Sequence, residues 1–153
     1  MIIIVEGPDG SGKTTLAEKI ARQSGYTLLH RSQPKSEEEK RNMMAEYLHV
    51  IKSGKNVVMD RCWYSEMVYG PIMRDATCID YPEMYELERL LCKKGAILIY
   101  CTDAPEVLWS RCQRRGEDYI LDFSTHEAIC KAYDKLMNVP HLIPVVKYGY
   151  EDL

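Results

Sequence analysis

Residues 7–14 are Gly7, Pro8, Asp9, Gly10, Ser11, Gly12, Lys13 and Thr14, and Thr15 follows. They fit the spacing G-x-x-x-x-G-K-[S/T] at every fixed position. Glycines so placed let the backbone curl until its N–H groups converge on an anion. The helix that follows would add its positive amino end. The chemistry these residue types permit is capture of a nucleoside triphosphate such as ATP. Lys13 would bridge the β- and γ-phosphates, and the Thr14 hydroxyl would ligate Mg²⁺. A glycine turn that binds nothing has no need of Gly12-Lys13-Thr14 at a helix start.

Asp60-Arg61 closes a later apolar run. In open α/β sheets the carboxyl ends of strands line the ligand crevice. There Asp60 would hold Mg²⁺ through water, and Arg61 would grip an acceptor phosphate with its planar fork. The plainer alternative is an ion pair capping a strand. A third group is Arg111-Cys112-Gln113-Arg114-Arg115-Gly116-Glu117-Asp118, with three arginines in five residues. Transfer of a phosphoryl group spreads charge over its equatorial oxygens. A mobile basic segment closing over it, hinged at Gly116, would stabilise that charge and exclude water. The alternative is a solvated helix face on which Glu117 and Asp118 are local counter-charges.

The elements that must position these groups alternate along the chain. Short apolar runs at Ile2–Val5, Tyr26–Leu29, Asn56–Met59, Ala96–Cys101 and Leu142–Val146 read as strands. Between them lie amphipathic stretches. The first carries Leu16, Ala17, Ile20 and Ala21 on one face and stops at Gly25. The second opens at Ser36 with Glu39 three residues on, a capping box, and ends at Gly54. The run Glu37-Glu38-Glu39 suits a helix amino end. Trp63–Tyr69 starts a helix that Gly70-Pro71 interrupts, and 72–81 reads as loop. Met84, Leu87, Leu90 and Leu91 mark a further helix, then Ala104–Arg111 another with Pro105 in its first turn. Ile129, Tyr133, Leu136 and Met137 mark the last. Buried strands joined by crossover helices predict an α/β fold with a five-stranded parallel sheet flanked by helices. With the phosphate loop, that is the P-loop NTPase fold. It would occupy residues 1–153 as a single domain with an Arg-rich lid at about 111–122.

Composition narrows the classes. The chain has 153 residues, 46% of them hydrophobic, enough for a core without disulfide staples. Its net charge is −3, so it lacks the general basic face that nucleic-acid partners require. No apolar run approaches the ~20 residues of a membrane span, and Ile2–Val5 is too short for a signal peptide. The six cysteines form no CxxC pair and sit near no histidine at ligand spacing, which predicts reduced thiols and a cytoplasmic protein. A guanine-reading Asn/Thr-Lys-x-Asp is absent, and no strand ends in the Asp-Glu of an ATPase motor. Small phosphotransferases remain. The four histidines are unclustered in sequence and receive no role. The tail from Lys147 either packs under an adenine or frays. The oligomeric state is left open, a homodimer included.

The ordered set of motifs resembles the thymidylate kinase family of nucleoside monophosphate kinases, in a compact form similar to bacteriophage-encoded members. The match runs through Glu6–Thr15, Asp60-Arg61 with Ser65 and Tyr69, Arg111–Glu117, and Phe123 with Tyr133. The resemblance implies ATP and Mg²⁺ as donor and cofactor, and a deoxynucleoside monophosphate as acceptor. It implies that Asp9 bonds the sugar 3′-hydroxyl, that Arg61 grips the 5′-phosphate, and that Ser65 and Tyr69 lie along the nucleoside. Arg111 and Arg115 would close on the donor, with Arg114 or Arg115 as the catalytic lid arginine. The chain departs from the pattern at Gly70, where a glutamine usually helps read thymine. The helix before the third strand also lacks the family's base-reading arginine. Trp63 and Tyr64 are the stacking substitutes, with ordinary packing as the alternative.

Two rivals differ in kind. A hydroxyl acceptor, on a deoxynucleoside or on DNA, would need a general base, for which Asp60 is available. A nucleotide-binding module without transfer would leave the lid arginines and Asp60-Arg61 without a task.

Overall fold

The computed structural model describes residues 1–30, 36–75, 79–116, 120 and 122–149. Five strands form one parallel sheet: β1 (Ile2–Glu6), β2 (Thr27–His30), β3 (Val57–Asp60), β4 (Ile97–Thr102) and β5 (Val145–Gly149). Their order is β2-β3-β1-β4-β5, with every pairing parallel. The chain leaves β1 toward β2 and β3 on one side, then crosses to β4 and β5 on the other. The direction of winding therefore reverses at β1, whose carboxyl end opens the crevice of such sheets. The continuous apolar run Ile2–Val5 fits a strand covered on both faces.

The crossovers are α1 (Lys13–Ser24), α2 (Glu37–Lys52), α3 (Trp63–Met73), α4 (Tyr81–Lys93), α5 (Pro105–Arg115) and α6 (Phe123–Asn138). Ser36 caps α2 as expected, its hydroxyl accepting the Glu39 N–H at 3.1 Å. Asp80 and Glu83 form a reciprocal capping box at α4. The larger core lies between the sheet and α2, α3, α4 and α6. A smaller one joins Leu16 and Ala17 of α1 to Val5, Val58 and Cys101.

Several boundaries differ from those expected. Strands β1 to β4 each run one residue further, taking in the polar Glu6, His30, Asp60 and Thr102, and β2, β3 and β4 also begin one residue late. Gly70-Pro71 does not interrupt α3. Pro71 falls in its last turn, where little helix remains to lose bonds, and the Arg74 N–H closes that turn onto Gly70 O at 3.0 Å. Helix α5 runs to Arg115 rather than Arg111, ended by Gly116 in a left-handed conformation. Strand β5 begins at Val145, three residues late, because Pro144 has no N–H to give the ladder and offers only its carbonyl, to Leu98 N. The segment Lys147–Gly149 is thus part of β5 rather than a frayed tail. The later tail residues, and Glu117 and Asp118 of the expected lid, lie outside the described residues.

Candidate functional site

The loop from Gly7 to Gly12 lies where β1 meets α1. Gly10 has φ +83°, and a Cβ there would meet Leu108 O at 2.5 Å. A Cβ on Gly7 would stand 2.2 Å from Cys101 O. Only glycine allows the loop to sit this tightly against β4 and α5. Gly12, also left-handed, precedes Lys13, the first residue of α1. Pro8 and Ser11 are buried within the loop, while Thr14 and Thr15 are exposed on its helical side.

Lys13 is buried, with Nζ 3.7 Å from Asp9 Oδ1. Burial, and then the charge of Arg61, pull its amino group below the usual lysine range, while Asp9, Asp60 and Glu6 act the other way. Arg61 Nη2 donates to the same Asp9 Oδ1 at 2.9 Å. The Arg61 guanidinium also lies over the Tyr69 ring, 5.7 Å from its centroid. Arg61 has φ +75°, a conformation that costs a non-glycine residue about 1–2 kcal/mol. Its N–H bonds Val5 O at 3.0 Å, which helps hold it there.

Asp60 is 1% exposed. Its Oδ2 accepts from Thr14 Oγ1 and faces His30 Nδ1, both at 2.7 Å. Its Oδ1 is buried and has no hydrogen-bond partner among the described residues. Because the Thr14 hydroxyl spends its proton on Asp60, its lone pairs are left for a cation. A hydroxyl oxygen and a carboxylate with one unmade bond are a fitting donor pair for Mg²⁺.

Glu6, at the end of β1, is fully buried. Its Oε1 accepts the N–H of Cys62 at 2.6 Å and of Ser65 at 3.3 Å. Its Oε2 accepts the hydroxyls of Ser65 at 2.7 Å and Tyr133 at 3.1 Å. Cys62 precedes α3 and gives that helix no side-chain cap, so Glu6 caps it from a distant strand. Burial pushes the Glu6 carboxyl above the usual range, opposed by these hydrogen bonds. Ser65 and Tyr69, expected along an acceptor, are buried. Ser65 is committed to Glu6, and Tyr69 packs edge-on to Tyr133.

The arginine group divides. Arg111 is buried, donating to Gly10 O at 3.2 Å and to Asp103 Oδ2 at 3.3 Å. It fastens α5 to the loop. Arg114 and Arg115 are exposed on the last turn of α5. Trp63 and Tyr64 take the packing alternative. Both are fully buried, Trp63 lying edge-on to Tyr47, and Tyr64 donating to Glu88. The structure therefore brings together Asp9, Lys13, Thr14, Asp60 and Arg61, with Arg111 behind the loop. Sequence reasoning gave no role to Glu6 beyond its place in a motif, and none to His30. Each is a polar residue closing an apolar strand, the signal that would have flagged it. His126 and Cys130 also lie one helical turn apart, their Nε2 and Sγ 3.6 Å from each other. Among the described residues no three His, Cys, Asp or Glu side chains form a metal-holding group.

A sequence profile described as an AAA domain matches residues 2–140. The chain belongs to that family. This AAA-domain chain is 26% identical over 137 residues to the SPbeta prophage-derived protein YorR of Bacillus subtilis, covering 90% of this chain and 82% of that one. It is 30% identical over 144 residues to a protein named "Probable thymidylate kinase" from Archaeoglobus fulgidus, covering 76% of this chain and 71% of that one. A crystal structure of YorR in complex with phosphorylated GDP superposes with a TM-score of 0.78 at 23% identity, over 98% of this chain and 85% of that one. Deoxyadenosine kinase from M. mycoides, with dCMP and dCDP, superposes at 0.67 and 19% identity, over 99% and 90%. The AAA-domain chain has a P-loop kinase fold, and its kinase-like relatives mark it as a phosphotransferase. Among the described residues no helix is long and apolar enough to cross a membrane.

Proposed function

We propose that the chain transfers the terminal phosphoryl group of ATP to a deoxynucleoside monophosphate carrying a thymidylate-like pyrimidine, giving the diphosphate and ADP. The observation that carries this reading is Asp9, whose one oxygen faces both Lys13 and Arg61. A donor-phosphate cation and a second cation of bidentate geometry stand on one carboxylate. Transfer between two phosphates calls for that pairing. An acceptor phosphate oxygen attacks the γ-phosphorus in line. The bond from that phosphorus to the β–γ bridging oxygen breaks, and ADP leaves with the electron pair. Such a reaction needs positioning and charge neutralisation more than acid–base help. Lys13 neutralises, Arg61 and Asp9 position, and exposed Arg114 and Arg115 are the lid arginines. Thr14 and Asp60 would hold Mg²⁺, which supplies further neutralisation of phosphate charge.

The relative named as a thymidylate kinase supports a monophosphate acceptor. A hydroxyl acceptor would ask Asp60 to act as base, and its Oδ2 is already engaged by Thr14 and His30. We place the whole chain in one catalytic domain, with the lid at about 111–122 and the cytoplasm as its compartment. The test is ADP release with Mg²⁺ and ATP across a panel of monophosphates, deoxynucleosides and DNA ends, modified pyrimidines included. Monophosphates are expected to stimulate it, and Lys13→Ala to abolish it while leaving the fold intact. Stimulation by hydroxyl acceptors alone, or full activity in Lys13→Ala, overturns the reading.

A further inference from the structure

His30 has no task in the reaction just described. It ends β2, and the parallel register sets it directly opposite Asp60 on β3. Its imidazole is more than half exposed, yet Nδ1 lies 2.7 Å from Asp60 Oδ2. Facing an acceptor oxygen, Nδ1 is the nitrogen that carries the proton. Asp60 Oδ2 thus takes two donors at the same distance, Thr14 Oγ1 and His30 Nδ1, while Oδ1 takes none from the described residues. With Thr14 as sole donor, the carboxylate would be held by the one hydroxyl that a cation also pulls on. The second donor comes from a neighbouring strand and does not share in that pull.

We propose that His30 is a positioning residue for the Asp60 carboxylate. It anchors Oδ2 independently of Thr14, so that the other oxygen stays presented for the hydrated cation that accompanies the nucleotide. The inference rests on the reading of Thr14 and Asp60 as the Mg²⁺-holding pair. It does not depend on which acceptor is used. Partners that fix a ligating group without touching the metal typically change metal affinity by roughly tenfold to a hundredfold.

The test is calorimetric titration of the full chain with ATP, with and without Mg²⁺. In the unaltered protein Mg²⁺ is expected to tighten ATP binding. In His30→Ala that gain is expected to fall by about tenfold, with binding of metal-free ATP unchanged. His30→Asn is expected to restore it, because the asparagine amide nitrogen takes the place of Nδ1. Thermal melting should be alike in all three, since the imidazole adds little buried surface. An undiminished gain in His30→Ala overturns the proposal, as does an asparagine variant no better than alanine. Absence of any Mg²⁺-dependent gain in the unaltered protein overturns it too, whatever the acceptor panel shows. A failed acceptor panel beside an intact His30 effect overturns only the choice of acceptor.

Discussion

The guanidinium of Arg61 rests on the carboxylate of Asp9, 2.9 Å away across 52 residues of sequence. The pair ties the end of β3 to the phosphate loop and orients a cation that the backbone holds at a strained angle. Replacing Arg61 separates the two effects. Arg61→Ala keeps the left-handed strain and loses the fork. Arg61→Gly loses both and should unfold later than the alanine variant, by about 1 kcal/mol. Both should lose roughly tenfold to a hundredfold or more in kcat/KM for the monophosphate, the scale of a charged hydrogen bond. Binding of ATP should change less. Thermal melts and steady-state kinetics check this, and an active glycine variant would remove Arg61 from the site.

Glu6 joins β1, α3 and α6 through one carboxylate. Glu6→Ala strands two backbone N–H groups and is expected to cost about 3 kcal/mol in a urea titration. Glu6→Gln keeps an acceptor for both N–H groups and should cost less than half as much. The folded carboxyl titrates above its ordinary range because it is buried. Its contribution to stability is therefore full below the unfolded value of 4.5 and is lost as pH rises through the higher folded one. The glutamine variant should lack that part of the pH dependence, and an unchanged profile would count against the buried role.

The arginines of α5 should part company on mutation. Arg111→Ala removes a buried guanidinium from Gly10 O and Asp103, and should lower stability by about 1–3 kcal/mol. Arg114→Ala and Arg115→Ala are expected to melt like the unaltered chain. One of the two should lose ~10³-fold or more in kcat, the scale of a transition-state arginine. Full kcat in both would end the assignment of the lid arginine to this turn.

A second buried pair sits away from the loop. His141 Nδ1 is 2.7 Å from Glu88 Oε2, and its Nε2 is 2.8 Å from Leu136 O. Burial alone would lower the imidazole pKa, but the bonds to Glu88 and the carbonyl outweigh it and raise it above 6.5. The stabilisation is therefore complete below pH 6.5, the unfolded value, and disappears as pH rises through the folded one. Melting curves between pH 6 and 9 should show this decline, and His141→Gln should flatten it. An equal decline in that variant would locate the effect elsewhere.

The sheet and the phosphate loop were legible because their signals are local. Ile2–Val5 is apolar throughout, and Gly7–Thr14 is fixed residue by residue. Arg61 beside Asp60 was legible from its place at a strand end. What escaped depends on partners far along the chain. Glu6 reads as a motif letter until Cys62, Ser65 and Tyr133 surround it. His30 reads as the first residue after a strand, because hydrophobicity fades where the strand becomes polar and useful. Trp63 and Tyr64 carry the composition of a stacking surface, and only packing against Tyr47 and Glu88 shows them turned inward. Arg111 and Arg115 share a helical face by spacing, yet one meets the loop and the other is exposed at the helix end.

Tyr133 reaches Glu6 across 127 residues. A chain emerging from the ribosome therefore makes its phosphate loop well before the tyrosine that anchors Glu6 behind it. The first helix forms from neighbours, but β1 must wait for β3 and β4 to pair with it, and the bond behind it waits for α6. Contacts of such sequence separation are slow to form, because a long loop must close before they reward it. The loop that grips the phosphates is thus laid down well before the contact that locks Glu6 behind it can exist.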